Sequence, residues 1–265
     1  MSELNLEWRA VDKSFTKDDA EVEVLRNVNL GVKEGEFVSL LGPSGCGKST
    51  LLNLAAGLLS PEGGSVYYRG NPITAINTQV AYLTQKDTLL PWRTVWDNTE
   101  LPLQIQRVPK AERAARIREQ IDRVGLTGFE KHYPRELSGG MRKRAALIRT
   151  LIYDPTTLLM DEPFGALDAQ LKAVMQQELL RIWSGSGKTV VFVTHDLREA
   201  IALSDRVIVI SGRPGTVKLE MDVPIPRPRN VVELGLESGE PQRLAHELWE
   251  ALRADVEVVE RKALR

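Results

Sequence analysis

The run Gly42-Pro43-Ser44-Gly45-Cys46-Gly47-Lys48-Ser49-Thr50 combines glycines, a lysine and paired hydroxyls at a spacing that can hold phosphate. Glycines at 42, 45 and 47 allow tight turns that aim successive N–H groups inward, and a helix beginning there adds the partial positive charge of its N-terminus. Lys48 is expected to lie exposed at the loop and to reach terminal phosphates as a mobile point charge. The Ser49 hydroxyl is placed to ligate a magnesium ion that takes most of its other oxygen ligands from phosphate and water. Cys46, the single cysteine of the chain, reads as a small loop residue.

Other groups with chemical potential are scattered along the chain. Asp161 and Glu162 follow the apolar run Thr156-Thr157-Leu158-Leu159-Met160, which suits a strand buried on both faces of a parallel sheet. Acids in that position emerge at the carboxyl end, where such sheets bind ligands. Asp161 can hold magnesium through water, and Glu162 can polarise the water that attacks a γ-phosphate. His195 ends a second apolar run and can hydrogen-bond a γ-phosphate. Gln85, where a strand meets a loop, offers a neutral amide for magnesium or for an attacking water, with a solvated loop amide as the alternative. Phe15 offers a flat apolar face to a nucleotide base, with a core position as the alternative. Ser138, Gly139 and Gly140 open a helix and make a second anion site. Arg142, Lys143 and Arg144 in its first turn oppose the helix dipole by ~0.3–1 kcal/mol each unless an anion compensates; a solvated basic face is the alternative.

These residues need a scaffold, and the hydrophobic pattern supplies one. Strands are expected at Leu4–Val11 and Val22–Val32, antiparallel and separated by the polar turn Thr16-Lys17-Asp18-Asp19. Phe37–Leu41 reads as a buried strand before the glycine loop, and Ser49–Leu58 as the helix after it. Pro61-Glu62-Gly63-Gly64 reads as a turn, with strands at Ser65–Tyr68 and Val80–Leu83. From Asp87 to Asp154 the pattern turns helical, with helices at Thr94–Gln106 and Lys110–Val124 split by Val108-Pro109, and a third with the stripe Met141, Ala145, Ile148 and Ile152. Trp92 and Trp96 at the entrance read either as core anchors or as a docking surface. After Asp168 a helix carries Leu171, Val174, Met175, Leu179 and Ile182 toward the sheet. Strands follow at Lys188–Thr194, Arg206–Ser211 and, at an edge, Val217–Asp222. Pro224–Arg229 reads as an extended linker, and Pro241–Arg253 as an amphipathic helix with Leu244, Leu248 and Leu252 on one face. His132 and His246 lie in polar sequence and receive no role.

A chain of 265 residues fits one large α/β domain with a small subdomain attached. Its 35 Lys+Arg against 36 Asp+Glu leave a net charge of -1, which gives no global attraction to nucleic acid or acidic membrane. One cysteine excludes an internal disulfide framework and fits a reducing compartment. No apolar run approaches the roughly 18 residues that span a bilayer, so contact with a membrane is expected to go through a partner.

Taken together, the glycine loop, Gln85, Leu137-Ser138-Gly139-Gly140, Leu158-Leu159-Met160-Asp161-Glu162-Pro163, Asp168 and His195 resemble, in order and spacing along nearly the whole chain, the nucleotide-binding subunit of ABC transporters. The resemblance implies an α/β P-loop NTPase with an antiparallel β subdomain and an inserted α-helical subdomain at about residues 87–154. The ATP-binding domain then spans 1–230, and a C-terminal helical extension 231–265. It implies ATP and Mg2+ as ligands, Phe15 stacked on adenine, Gln85 contacting magnesium and sensing the membrane partner, Glu162 as general base and His195 on the γ-phosphate. Asp168 would communicate between sites. Two copies would pair head to tail, so that Ser138, Gly139 and Gly140 of one close over ATP on the other; that ATP would then be the anion the basic first turn lacks. Met141 stands where the family has glutamine and cannot make that polar contact, so the role is not carried over.

The implied partners are a second copy, transmembrane permease subunits at the cytoplasmic face of the cell membrane and, indirectly, a solute-binding protein, with no nucleic acid. Leu90–Val95, Phe164–Ala169 and Gly212–Gly215 look most like the importer ATPases for nitrate, sulfonates and taurine. The alternatives are an importer ATPase for another small solute and an ABC ATPase working on DNA or ribosomes. Chromosome-type members need a long coiled coil and translation-type members a second cassette, and the chain has neither. A GTPase would call for an Asn-Lys-x-Asp motif, which the sequence lacks, and a catalytically dead regulatory subunit is opposed by Glu162 and His195.

Overall fold

The computed structural model describes residues 4–17, 20–165, 167–234 and 239–263. Asp18 and Asp19 of the expected turn, and Ala166, lie outside the described residues. β1 (Leu4–Lys17) and β2 (Ala20–Lys33) pair antiparallel from Leu4 against Lys33 to Lys17 against Ala20. Both run further than their apolar cores suggested, because Phe15–Val22 and Thr16–Glu21 continue the ladder through polar sequence. β3 (Phe37–Leu41) is buried throughout, and α1 (Lys48–Ala55) ends three residues short of the expected Leu58. β4 (Gly63–Tyr68) pairs with β1 and with the short β5 (Asn71–Pro72), and it takes in Gly63 and Gly64, which the sequence placed in a turn.

β6 (Val80–Leu83) leads into the helical insertion, made of α2 (Val95–Ile105), α3 (Lys110–Arg123) and α4 (Gly139–Leu151). The remainder alternates β7 (Thr157–Asp161), α5 (Ala169–Trp183), β8 (Thr189–Thr194), α6 (Leu197–Leu203) and β9 (Arg206–Ile210). It closes with β10 (Val217–Asp222), α7 (Val231–Leu234) and α8 (Glu240–Ala263).

Six strands form one sheet in the order β10-β9-β3-β8-β7-β6, parallel except for the edge strand β10. Strand periodicity divides its buried side chains between two cores. Phe37, Leu158, Met160, Val190 and Phe192 join the core shared with Leu103, Ile117, Ala145 and Ile148 of the insertion. Val38, Leu40, Leu159, Val191 and Val193 face the core shared with α1 and the antiparallel strands, including Leu6, Trp8 and Leu51. Each such side chain contributes about 1.5–3 kcal/mol by leaving water, which is why the apolar runs alone located these strands. On α8, Leu244, Leu248 and Leu252 are buried with Leu41, Ile201, Val207 and Val209.

The structure differs from expectation at Val174 and at Pro224–Arg229. Val174 of α5 is 52% exposed, because the buried face of that helix is Met175, Gln176, Leu179 and Leu180. The Pro224–Arg229 stretch is a pinned crossing rather than a linker: Arg229 is 5% exposed. Its Nη1 donates to the carbonyls of Ile201, Ala202 and Ser204, its Nη2 to Val223 and Ile225, and its Nε also to Ile225. These include the orphan carbonyls at the end of α6. Burial and the neighbouring Arg227 push its pKa down to about 10, against the pull of Asp205. Arg229→Ala is expected to lower the unfolding free energy by about 2–4 kcal/mol, since it strands buried carbonyls. A shift of the urea midpoint measures this; an unchanged midpoint would mean that those carbonyls find other donors.

Candidate functional site

Strand register brings the chemistry to one edge. Leu41 of β3 lies beside Thr194 of β8, and Asp161 of β7 beside Val193. The glycine loop, the acid pair and His195 therefore leave three adjacent parallel strands at the same level. Gly47, the N-cap of α1, has φ +104°, and a Cβ there would stand 2.5 Å from Leu25 Cδ2. A Cβ on Gly42 would stand 2.6 Å from the Ile210 carbonyl oxygen. The turn thus requires glycine at 47 for its dihedral and at 42 for close backbone approach.

An open cleft of about 450 Å³ is lined by Phe15, Val24, Ser44, Gly45, Gly47, Lys48, Ser49, Thr50, Gln85, Glu162 and Arg213. Phe15 is 39% exposed at its rim, so the core alternative for this ring does not hold. Lys13 Nζ sits 5.4 Å from the ring centroid, a cation against the π face. Lys48 also departs from expectation. It is 6% exposed, and its ammonium donates to Gly42 O at 2.7 Å and Pro43 O at 2.9 Å, beside Cys46 Sγ at 3.7 Å. The ammonium is thus folded back onto its own loop, and the Pro43 carbonyl that it meets also accepts the Cys46 N–H at 3.4 Å. Cys46 is buried and its thiol pushed up by that burial, which suits an inert loop residue.

Beneath the loop, Asp161 is buried, and burial raises its carboxyl above the usual range while a hydrogen bond from Ser49 pulls the other way. Glu162 has φ +47°, a left-handed backbone that a glutamate adopts only where surrounding bonds hold it. Its N–H donates to Val193 O at 3.0 Å. Its carboxylate meets Gln85 Nε2 at 3.2 Å and His195 Nδ1 at 3.4 Å. Gln85, Glu162 and His195 are therefore one contiguous group, although His195 does not line the cleft itself.

Ser138, Gly139 and Gly140 are not brought to this cleft. Ser138 caps α4 by accepting the Met141 N–H at 3.2 Å, and Ser138 and Gly139 are exposed at that helix end. Asp168 caps α5, its Oδ1 accepting the Leu171 N–H at 2.9 Å. The basic first turn of α4 is corrected: its cations have partners within the chain. Arg142 pairs with Asp87 at 3.0 Å and donates to Leu137 O, Lys143 donates to Gln85 O, and Arg144 to the carbonyls of Val124 and Gly125. Arg149 adds bonds to Asp87 O and Thr88 O. Arg142 and Lys143 thereby clamp the segment that carries Gln85 and Arg144 the end of α3, so no external anion is needed to explain the basic turn.

Several contributors carry no site role in the sequence reading, Arg213 appearing there only within the stretch Gly212–Gly215. Arg213 donates to Gly45 O, Arg149 clamps Thr88, and buried Asn98 ties Leu90, Arg93 and Thr94 to α2. For Arg149 and Asn98 the only sequence signal is a polar residue in an apolar or loop setting. The two tryptophans separate, Trp92 being 71% exposed and Trp96 packed against the core. His132 packs against Phe129, ring centroids 5.0 Å apart and planes tilted by 50°, rather than sitting in purely polar surroundings, and His246 is exposed.

A glycine nest leading from a parallel strand into a helix, with acids at the end of the next strand but one, defines an α/β P-loop nucleotide triphosphatase. A family model described as ABC transporter matches residues 25–165. The chain is 42% identical over 222 residues to an aliphatic sulfonates import ATP-binding protein of Bacillus cereus, covering 83% of this chain and 87% of that one. It is 41% identical over 223 residues to a nitrate import ATP-binding protein of Synechocystis, covering 84% of each. Among solved structures, a dimeric ATP-binding cassette in a post-hydrolysis state bound to ADP and Pi matches with a TM-score of 0.76 and 34% identity, over 82% of this chain and 98% of that one. The chain belongs to the ABC transporter family. It binds ATP and is an ATPase.

Among the described residues, no group of three or more His, Cys, Asp and Glu side chains could enclose a metal ion. The Ser49 hydroxyl against the buried Asp161 carboxylate nevertheless fits magnesium, a hard cation that binds through one or two protein oxygens and completes its shell with phosphate and water.

Proposed function

We propose that this chain is the ATP-hydrolysing subunit of an importer for a small anion or sulfonate such as nitrate, an aliphatic sulfonate or taurine. It works at the cytoplasmic face of the cell membrane through separate permease subunits and, indirectly, a solute-binding protein. The observation that carries the hydrolytic reading is the Gln85–Glu162–His195 group at the mouth of the glycine loop. Among the described residues no helix is long and apolar enough to cross a membrane, so the chain's link to one is assigned to its partners.

In this reading the N–H groups of Gly42 to Thr50 cradle the phosphates, and Lys48 leaves the Gly42 and Pro43 carbonyls to meet them. Phe15 lies under the adenine. Ser49, Asp161 and Gln85 are the residues that would hold magnesium, which when bound offsets charge on the phosphate oxygens. Glu162 accepts a proton from the attacking water, oriented by Gln85, and His195 donates to the γ-phosphate. The exposed Ser138-Gly139-Gly140 helix end, away from its own cleft, serves the ATP of a second copy, with Asp168 between the sites. The importer part rests on the family and on what the relatives are named for.

Trp92, exposed in the segment that follows Gln85, is the residue we assign to the permease-facing surface together with Arg93. Trp92→Ala and Arg93→Ala are expected to spare basal ATP turnover but to reduce uptake about tenfold or more when the chain is reconstituted with its permease, as for an aromatic anchor at an interface. Unchanged uptake would place that surface elsewhere. Offering nitrate, taurine and an alkanesulfonate to the same vesicles tests the solute class, and uptake of none of them would overturn it.

A further inference from the structure

The loop between β9 and β10 passes behind the glycine loop and is tied to it from several sides. Gly215 N–H donates to Val24 O at 2.8 Å and Arg26 N–H to Gly215 O at 3.1 Å, fixing this loop to β2. A Cβ on Gly215 would stand 2.1 Å from the Cys46 carbonyl oxygen, so backbone lies directly against backbone. From that base Arg213 reaches into the nucleotide cleft, its Nε and Nη2 donating to Gly45 O at 3.1 and 3.0 Å.

The far side of the same loop is held by α8. Asp255 Oδ1 accepts the Gly212 N–H at 3.0 Å while its Oδ2 pairs with Lys218 Nζ at 2.7 Å. The helix is seated by Leu244, Leu248 and Leu252, and its Trp249, Leu252 and Val256 face Gly42, Pro43, Ser44 and His195 across a cleft of about 250 Å³.

A glycine-rich nest loses much conformational entropy when it closes on an anion. A planar guanidinium fork on the Gly45 carbonyl fixes the Gly45–Cys46 peptide plane in advance, and preorganisation of this kind raises affinity more than rate. We infer that Arg213 is a positioning residue for the phosphates of ATP and that Asp255 acts through it, so that the C-terminal helix sets how tightly the loop holds nucleotide. This rests on the reading of residues 42–50 as the ATP phosphate loop.

The test is titration of the purified full chain with a fluorescent N-methylanthraniloyl ATP, alongside steady-state turnover. Arg213→Ala should raise both Kd and KM about tenfold, the loss of a charge-assisted hydrogen-bond pair at a solvent-facing site, with kcat within about twofold. Arg213→Lys should recover part of the affinity, since an ammonium can still donate to Gly45 O. Asp255→Ala should cost about threefold, and Arg213→Ala with Asp255→Ala together should bind no worse than Arg213→Ala alone, the signature of residues acting in series. If Arg213→Ala does not fold, the lysine and Asp255 variants carry the test. Wild-type affinity in Arg213→Ala, a fall in kcat with KM unchanged, or additive losses in the double variant would each overturn the proposal. Absence of binding by the wild-type chain would overturn the phosphate-loop reading itself and this proposal with it.

Discussion

Glu162→Gln is expected to lower ATP turnover by about 100-fold or more while leaving ATP binding within a few-fold of wild type. Removal of a positioned general base typically costs that much. The carboxylate faces Gln85 Nε2 and His195 Nδ1, while the groups assigned to hold nucleotide, Lys48, Ser49 and Asp161, are separate side chains. Glutamine keeps the volume and can still bond to both neighbours, so the strained backbone at φ +47° should be retained. Phosphate release and nucleotide titration on the same preparation separate the two effects. Turnover at the wild-type rate would remove Glu162 from the chemistry.

Lys48→Ala is expected to weaken ATP binding by about 100-fold or more and to abolish turnover, because it removes the charge that steadies the terminal phosphates. The structure adds a consequence that an exposed lysine would not have. The ammonium is the donor for Gly42 O and Pro43 O, and its stem is buried. The variant should therefore also lose about 1–3 kcal/mol of stability, visible in its urea midpoint without nucleotide. Lys48→Met, which retains the apolar stem but not the charge, should lose binding equally and stability less. If Lys48→Ala bound ATP as wild type does, the loop would not be a phosphate site.

Much of this arrangement was legible in the sequence because burial on both faces leaves an unmistakable signal. Phe37–Leu41, Thr157–Asp161 and Thr189–Thr194 are continuous buried runs, and the residues at their ends follow. Long-range polar partners are different, since nothing local marks them. Arg229 sits in a proline-rich stretch that composition alone reads as a linker, yet its acceptors at the end of α6 lie 25 to 28 residues earlier. Arg142, Lys143 and Arg144 read as cations short of a partner because their partners stand 55 residues away at Asp87, 58 at Gln85 and 20 at Val124. Arg213 is 168 residues from the carbonyl it holds. Val174 shows a different limit: one residue of rotation on a helix moves a side chain by ~100° about the axis, enough to put Val174 in solvent while its neighbour Met175 is buried as expected.

In the proposed assembly two copies of this chain complete each other's ATP site, the Ser138-Gly139-Gly140 helix end of one closing over the nucleotide on the other. It is tested most directly by light scattering after size-exclusion chromatography of Glu162→Gln, with and without saturating Mg-ATP. Unhydrolysed ATP held between both subunits stabilises their association by mass action. A dimer is expected with ATP, a monomer without it, and a monomer in both conditions when Ser138→Arg is added to crowd the phosphate. A Glu162→Gln chain that binds ATP yet stays monomeric, or a dimer that Ser138→Arg leaves intact, would contradict it.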